Sequence, residues 1–152
     1  MSNSVVVKQV TIDELEPAAA LFNEYRVFYK QDPDLEGAKA FLLERFIHRD
    51  SVIFAAYDNE RDQYIGFTQL YPTFSSISMQ RSWILNDLYV KQDYRGQGVG
   101  KLLLAQAKTY AKQTRSKGLG LSTAVDNVTA QHLYETQGFV KDADFYHYYL
   151  KV

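Results

Sequence analysis

Between an apolar stretch ending at Val90 and an amphipathic stretch beginning at Val99, the chain reads Arg95-Gly96-Gln97-Gly98-Val99-Gly100. Three glycines within five residues are a poor way to begin a helix, because glycine loses more conformational freedom on ordering than any other residue. What they supply is positive φ and a backbone that a ligand can approach closely. Successive N–H groups at the start of a helix make an anion site, and Arg95 and Lys101 flank this one. One glycine would serve a tight strand-to-helix turn; three, flanked by two cations, indicate a phosphate or pyrophosphate. Two well-known phosphate loops are excluded by spacing. A dinucleotide turn needs Gly-x-Gly-x-x-Gly with an acidic residue about 20 positions on, whereas the spacing here is Gly-x-Gly-x-Gly and residues 115–121 carry no carboxylate. A P-loop needs Gly-x-x-x-x-Gly-Lys-Ser/Thr, and Lys101 is followed by Leu102.

Around this turn the pattern alternates between strands and helices. Residues 4–10 read as a first strand. Thr11-Ile12-Asp13-Glu14 is a capping box, followed by a helix whose apolar side carries Leu15, Ala18, Phe22, Tyr25 and Tyr29. After Asp32-Pro33 a second helix, capped by Asp34, shows Leu35, Ala38, Leu42 and Phe46. Residues 51–57 and 64–71 form a strand pair across the polar turn 58–62, Pro72 ends the second strand, and 73–80 read as a loop. Residues 83–90 read as a central strand covered on both faces. A helix over 99–113, a strand over 119–125, a short helix capped by Asp126 or Asn127 and ended by Gly138, and a closing strand over 145–152 complete the order. A further strand near 139–140 fits as well. This order implies an α/β domain with a mixed sheet.

The 152 residues suit a single domain spanning 1–152. A net charge of −1 leaves no basic surface for nucleic acid. The chain has no cysteine, so disulfides, thiolate metal sites and a cysteine nucleophile are excluded. His48, His132 and His147 do not have metal-ligand spacing, and no metal is expected. No stretch approaches the length of a membrane span, and Met1-Ser2-Asn3-Ser4 does not begin a signal peptide. The expectation is a cytoplasmic protein with no membrane partner.

With its flanking strand Asn86-Asp87-Leu88-Tyr89-Val90, the glycine turn resembles the acetyl-coenzyme A motif, Gln/Arg-x-x-Gly-x-Gly/Ala, of the Gcn5-related N-acetyltransferase superfamily. A second block, Asn127-Val128-Thr129-Ala130-Gln131-His132-Leu133-Tyr134-Glu135-Thr136-Gln137-Gly138-Phe139, is similar to the same family's Asn-x-x-Ala-x-x-Leu-Tyr-x-x-x-Gly-Phe. The resemblance is carried by residues 83–139; upstream it rests on element order.

The resemblance implies an α+β fold: a mixed, mostly antiparallel sheet of six to seven strands with about four helices, splayed between the fourth and fifth strands. It implies acetyl-CoA as co-substrate, with its pantetheine arm paired to the backbone of Leu88, Tyr89 and Val90. Its pyrophosphate would lie on the backbone of Arg95, Gly96, Gln97, Gly98, Val99, Gly100 and Lys101. Asn127 and Ala130 would border the arm from the other side. Tyr134, two helical turns after Asn127, would hydrogen-bond to the departing thiolate, and a backbone N–H of 88–90 would face the oxyanion. Where relatives carry a glutamate base on the fourth strand, this chain has Asn86, which cannot accept a proton. A bulge that turns Asp87 to the acceptor side, a water held by Asn86 and a tyrosine, or an amine that arrives deprotonated would each meet the need. The water is the favoured reading. By simple alternation Ile84, Asn86, Leu88 and Val90 share one face and Asp87 points the other way. Arg26 and Tyr29 on the first helix would wall the acceptor site, Arg26 offering its planar fork to a carboxylate.

The expected activity is acetyl transfer to a primary amine of a small molecule: an amino acid, a polyamine or an aminoglycoside-like compound. A protein lysine or N-terminal amine is the alternative acceptor, and a coenzyme A-binding sensor without turnover the alternative class. The resemblance also leaves room for a homodimer.

Overall fold

The computed structural model describes residues 4–152. The leader reading of Met1-Ser2-Asn3 lies outside them. The described chain divides into two compact units, Met1–Ser122 and Thr123–Val152.

The first unit holds five strands in the spatial order of the sequence: β1 (Val5–Gln9), β2 (Val52–Asp58), β3 (Gln63–Ser75), β4 (Gln80–Val90) and β5 (Leu119–Gly120). All neighbours are antiparallel except β4 and β5. Three helices accompany the sheet: α1 (Leu15–Phe28), α2 (Leu35–His48) and α3 (Val99–Gln113). The capping box forms as expected, with the Thr11 amide donating to Glu14 Oε1 at 3.1 Å, and a 3-10 turn over Ile12–Glu14 leads into α1. Asp34 caps α2 by accepting from the Gly37 amide at 2.9 Å. Ala18, Leu21, Ala38 and Leu42 from α1 and α2 pack with Ile53, Ala55 and Phe67 on one face of the sheet. Val99 and Leu103 of α3 pack with Ala56, Ile65 and Tyr94 on the other.

The second unit contains α4 (Val128–Thr136). Asn127 is its cap, accepting from the Ala130 amide at 3.1 Å, and Gly138 follows with φ +97°.

Several expectations need correction. The described residues form five strands, not six or seven. β5 is two residues long instead of spanning 119–125, and residues 139–140 and 145–152 form no strand. Alternation marks a segment that can enter a sheet, but a strand exists only where its backbone finds a partner. β3 runs through Pro72 to Ser75 because the β2 ladder ends at Leu70. Past that point the outer side of β3 needs no N–H donor. β4 is not covered on both faces: Trp83, Leu85 and Asp87 are buried while Ile84 and Asn86 are exposed.

Candidate active site

The β3–β4 ladder carries the feature that sets the site. Gln69 pairs with Asp87 and Leu70 with Leu85, so Asn86 is an extra residue without a partner, a β-bulge. A bulge moves every later side chain to the opposite face. Before it, Trp83 contacts Tyr110 of α3. After it, Leu88 and Val90 pack on the α3 side and Tyr89 on the α1/α2 side. The expected grouping of Ile84, Asn86, Leu88 and Val90 on one face therefore fails, and Asp87 lies on the α1/α2 face with Tyr89. Its partner Gln69 is two residues from Phe67 of the α1/α2 core.

Asp87 is 5% exposed. One carboxylate oxygen accepts from Gln69 Nε2 at 2.9 Å and the other from Asn86 Nδ2 at 3.1 Å. No ion pair to Asp87 occurs among the described residues. A buried carboxylate normally has a cationic partner; this one is held by two side-chain amides. Those bonds fix the Gln69 amide with its NH2 toward the carboxylate, which leaves Gln69 Oε1 buried and without a partner. Burial and the nearby Asp87 charge push the Tyr71 hydroxyl up to about 12.

On the same face, Tyr25, Phe28, Tyr29 and Tyr89 form a chain of ring contacts, with centroids 5.1 Å apart for Tyr25–Tyr29 and 6.1 Å for Phe28–Tyr89. The Arg95 guanidinium lies 4.7 Å from the Phe28 ring centroid and 5.6 Å from that of Tyr89, and Arg95 Nε donates to the Val90 carbonyl at 2.8 Å. Burial raises the Tyr89 hydroxyl above its ordinary value. Arg26 Nη1 donates to the Asp32 carbonyl at 3.1 Å and so ties the α1 end to the loop before α2. Tyr29, Tyr89 and Arg95 thus come together around Phe28, with Arg26 on the same helix end.

The glycine turn has the geometry its composition implies. Gly96 has φ +74°, and Gly98 has φ +82° as the cap of α3. A Cβ at Gly96 would meet nothing within 4 Å, so open space lies over the turn. The first turn of α3 carries no acidic side chain, so its amide ends and Lys101 stay available to an anion. The turn is anchored from beneath: the Tyr94 hydroxyl donates to Asp58 Oδ2 and accepts from Gln63 Nε2, each at 2.8 Å. The Tyr94 bond holds the Asp58 carboxyl below the usual carboxylate range.

Beside the turn, β5 pairs with β4 only at Trp83–Leu119 and Ile84–Gly120. Among the described residues, no strand pairs with residues 85–90 of β4 on the side of β5. In the second unit, Ala130 and Tyr134 are one helical turn apart, and the Tyr134 ring meets Phe139 at 5.9 Å. Among the described residues no cluster of His, Asp and Glu is arranged to hold a metal, and no helix is long and apolar enough to cross a membrane.

Sequence reasoning underrated Asp87, Gln69 and Phe28. Only Asp87 carried a signal, as the acidic neighbour of Asn86; the bulge beside it depends on pairing across strands.

A strand edge beside an anion-binding helix start, with a buried carboxylate on the opposing face, suits an extended acyl donor with a pyrophosphate and an amine acceptor. The profile of the acetyltransferase (GNAT) family matches residues 18–139. An uncharacterized N-acetyltransferase of Bacillus subtilis, YhfO, is 48% identical over 146 residues, covering 96% of this chain and 97% of the relative. A D-amino-acid N-acetyltransferase of Saccharomyces cerevisiae is 27% identical over 148 residues, covering 96% of this chain and 91% of the relative. A crystal structure of a probable acetyltransferase superposes with a TM-score of 0.92 at 42% identity, covering 97% of each chain. The chain belongs to the GNAT family and is an N-acetyltransferase. Membership implies acetyl-CoA as acyl donor and an amine as acceptor.

Proposed function

We propose that this enzyme transfers the acetyl group of acetyl-CoA directly to a primary amine of a small molecule, in the class of amino acids, polyamines or aminoglycoside-like compounds. The observation that carries the reading is the bulge at Asn86. It turns a buried carboxylate with no cationic partner onto the α1/α2 face, two residues from the aromatic wall at Tyr89. A cationic amine entering there is attracted by that charge, and Asp87 takes its proton, directly or through a water held by Asn86. Asn86 thus acts by holding the carboxylate and the water, since an amide takes no proton.

Bound acetyl-CoA supplies an activated thioester carbonyl. The β4 edge at Leu88, Tyr89 and Val90 receives its pantetheine arm, and a backbone N–H of that segment faces the developing oxyanion. Donors of this kind are worth about 3–4 kcal/mol in other enzymes. The backbone of Arg95, Gly96, Gln97, Gly98, Val99, Gly100 and Lys101 cradles the pyrophosphate, and Asn127 and Ala130 border the arm. The Tyr134 hydroxyl hydrogen-bonds to the leaving thiolate. Arg26 and Tyr29 border the acceptor, and Arg26 keeps guanidinium donors beyond the one engaged by Asp32. The yeast relative, named for D-amino acids, supports an amino-acid acceptor. The family match and the near full-length relatives support reading 1–152 as one catalytic domain.

Thiol release from acetyl-CoA, followed against amino acids, polyamines, aminoglycosides and short peptides, tests the reading. The chain has no cysteine, so the thiol reagent meets no protein background. Turnover with a small amine and not with peptides is expected. Turnover confined to peptides would assign a protein acceptor and overturn the proposal.

A further inference from the structure

Asp58 and Gln63 face each other as the last pair of the β2–β3 ladder. Both converge on one phenol, 36 and 31 positions away in the chain. The Tyr94 hydroxyl donates to Asp58 Oδ2 and accepts from Gln63 Nε2, each at 2.8 Å, so its proton and a lone pair are both engaged. The other Asp58 oxygen accepts from the Ser4 hydroxyl at 2.9 Å and the Glu60 amide at 3.0 Å. Asp58 is 4% exposed, and among the described residues no cation pairs with it. A hydrogen bond to a charged acceptor is roughly twice as strong as one between neutral groups. This buried charge therefore fixes the Tyr94 ring firmly, and no step of the proposed transfer uses it.

Tyr94 ends the 3-10 turn Gln92–Tyr94, with its amide bonded to the Lys91 carbonyl at 2.9 Å. Arg95 and Gly96 follow directly. Beyond the glycines, Val99 and Leu103 are buried in the same cluster as Tyr94. The glycine turn is thus pinned at both ends. Between the pins, Gly96 at φ +74° and Gly98 at φ +82° are residues with little conformational preference of their own. A cradle of backbone N–H groups binds an anion well only if those groups are already aimed, because ordering them at the moment of binding costs affinity.

We propose that Asp58 and Gln63, acting through Tyr94, are positioning residues for the acyl donor: they hold the glycine turn in its anion-binding shape, so the β2–β3 turn sets the affinity for the donor's pyrophosphate. The inference rests on the proposed cradle at 95–101. The network touches neither the thioester nor the amine, so it acts on donor binding and leaves the transfer step alone.

The test compares kcat and KM for acetyl-CoA and for acetyl-pantetheine, which has the same thioester and arm but no pyrophosphate. Tyr94→Phe removes the hydroxyl and keeps the ring in its cluster. It is expected to raise the KM for acetyl-CoA roughly tenfold, with kcat held and the kinetics of acetyl-pantetheine unchanged. Gln63→Met, which leaves the bond between Tyr94 and Asp58, is expected to give a smaller rise for the same donor only. A purely structural role would lower the melting temperature and move neither KM; that result, or equal losses with both donors, overturns the inference. Gly98→Val, measured with the same two donors, separates it from the reading on which it rests. If Gly98→Val weakens acetyl-CoA alone and Tyr94→Phe does not, the cradle stands and the inference falls. If Gly98→Val affects both donors alike, the cradle fails and the inference with it.

Discussion

Glu14 shows how one residue links the sequence signal to stability. The capping box that starts α1 also places its carboxylate under the Tyr64 hydroxyl at 2.7 Å and beside Lys8 at 3.2 Å. Burial works against the charge, but the bonds from Tyr64, the Thr11 amide and Lys8 outweigh it and hold the carboxyl at about 2. A carboxyl lowered in the folded state adds stability above its unfolded value, and that stability is lost as pH falls through the folded one. Glu14→Gln is therefore expected to lower stability by about 1–2 kcal/mol at pH 7. The difference from wild type should close between pH 4.5 and about 2, as urea unfolding at a series of pH values will show. A gap that persists at pH 2 would mean that packing, not charge, is lost. The capping role was legible in four consecutive residues; the bond to Tyr64, 50 positions away, was not.

At the scale of elements, the account depends on β4. Gly66 of β3 lies opposite Val90, and a Cβ there would sit 2.7 Å from the Tyr89 carbonyl. Backbone cannot yield as a side chain does, so Gly66→Ala must displace the strand end assigned to the pantetheine arm. The expected result is a loss of about 1–3 kcal/mol and a raised KM for acetyl-CoA. An unchanged KM would show that this segment does not hold the arm. Gly98→Val, β-branched at φ +82°, is likewise expected to raise the KM for acetyl-CoA at least tenfold in steady-state kinetics. The glycine turn was legible because its chemistry is local: residue type alone sets which φ a position tolerates. The bulge was not, because one extra residue in β4 is defined only against the register of β3. Alternation read across it put Ile84 on the face of Leu88 and Val90.

For the whole molecule, the C-terminal residues make the same point. Their strand-like composition was legible at 145–152, but a strand needs an edge to join, and none is joined within the described chain. The element order through α3 follows the expected plan. The strand count, the length of β5, the run of β3 past Pro72 and the exposure of one face of β4 depart from it. Acetyl-CoA at about 100 times its dissociation constant is expected to add roughly 2.7 kcal/mol to unfolding, and the melting temperature should rise with its concentration.

The central claim is that Asp87, turned inward by the bulge, takes the proton of the amine. It is tested most directly by kcat/KM for the acceptor in wild type and Asp87→Asn, with acetyl-CoA binding measured in parallel by thermal shift. Asn keeps an oxygen to accept from Gln69 or Asn86 but cannot accept a proton. A fall of roughly 10²–10⁴-fold with acetyl-CoA binding unchanged is the predicted result. A variant that turns over within a few-fold of wild type would contradict the claim.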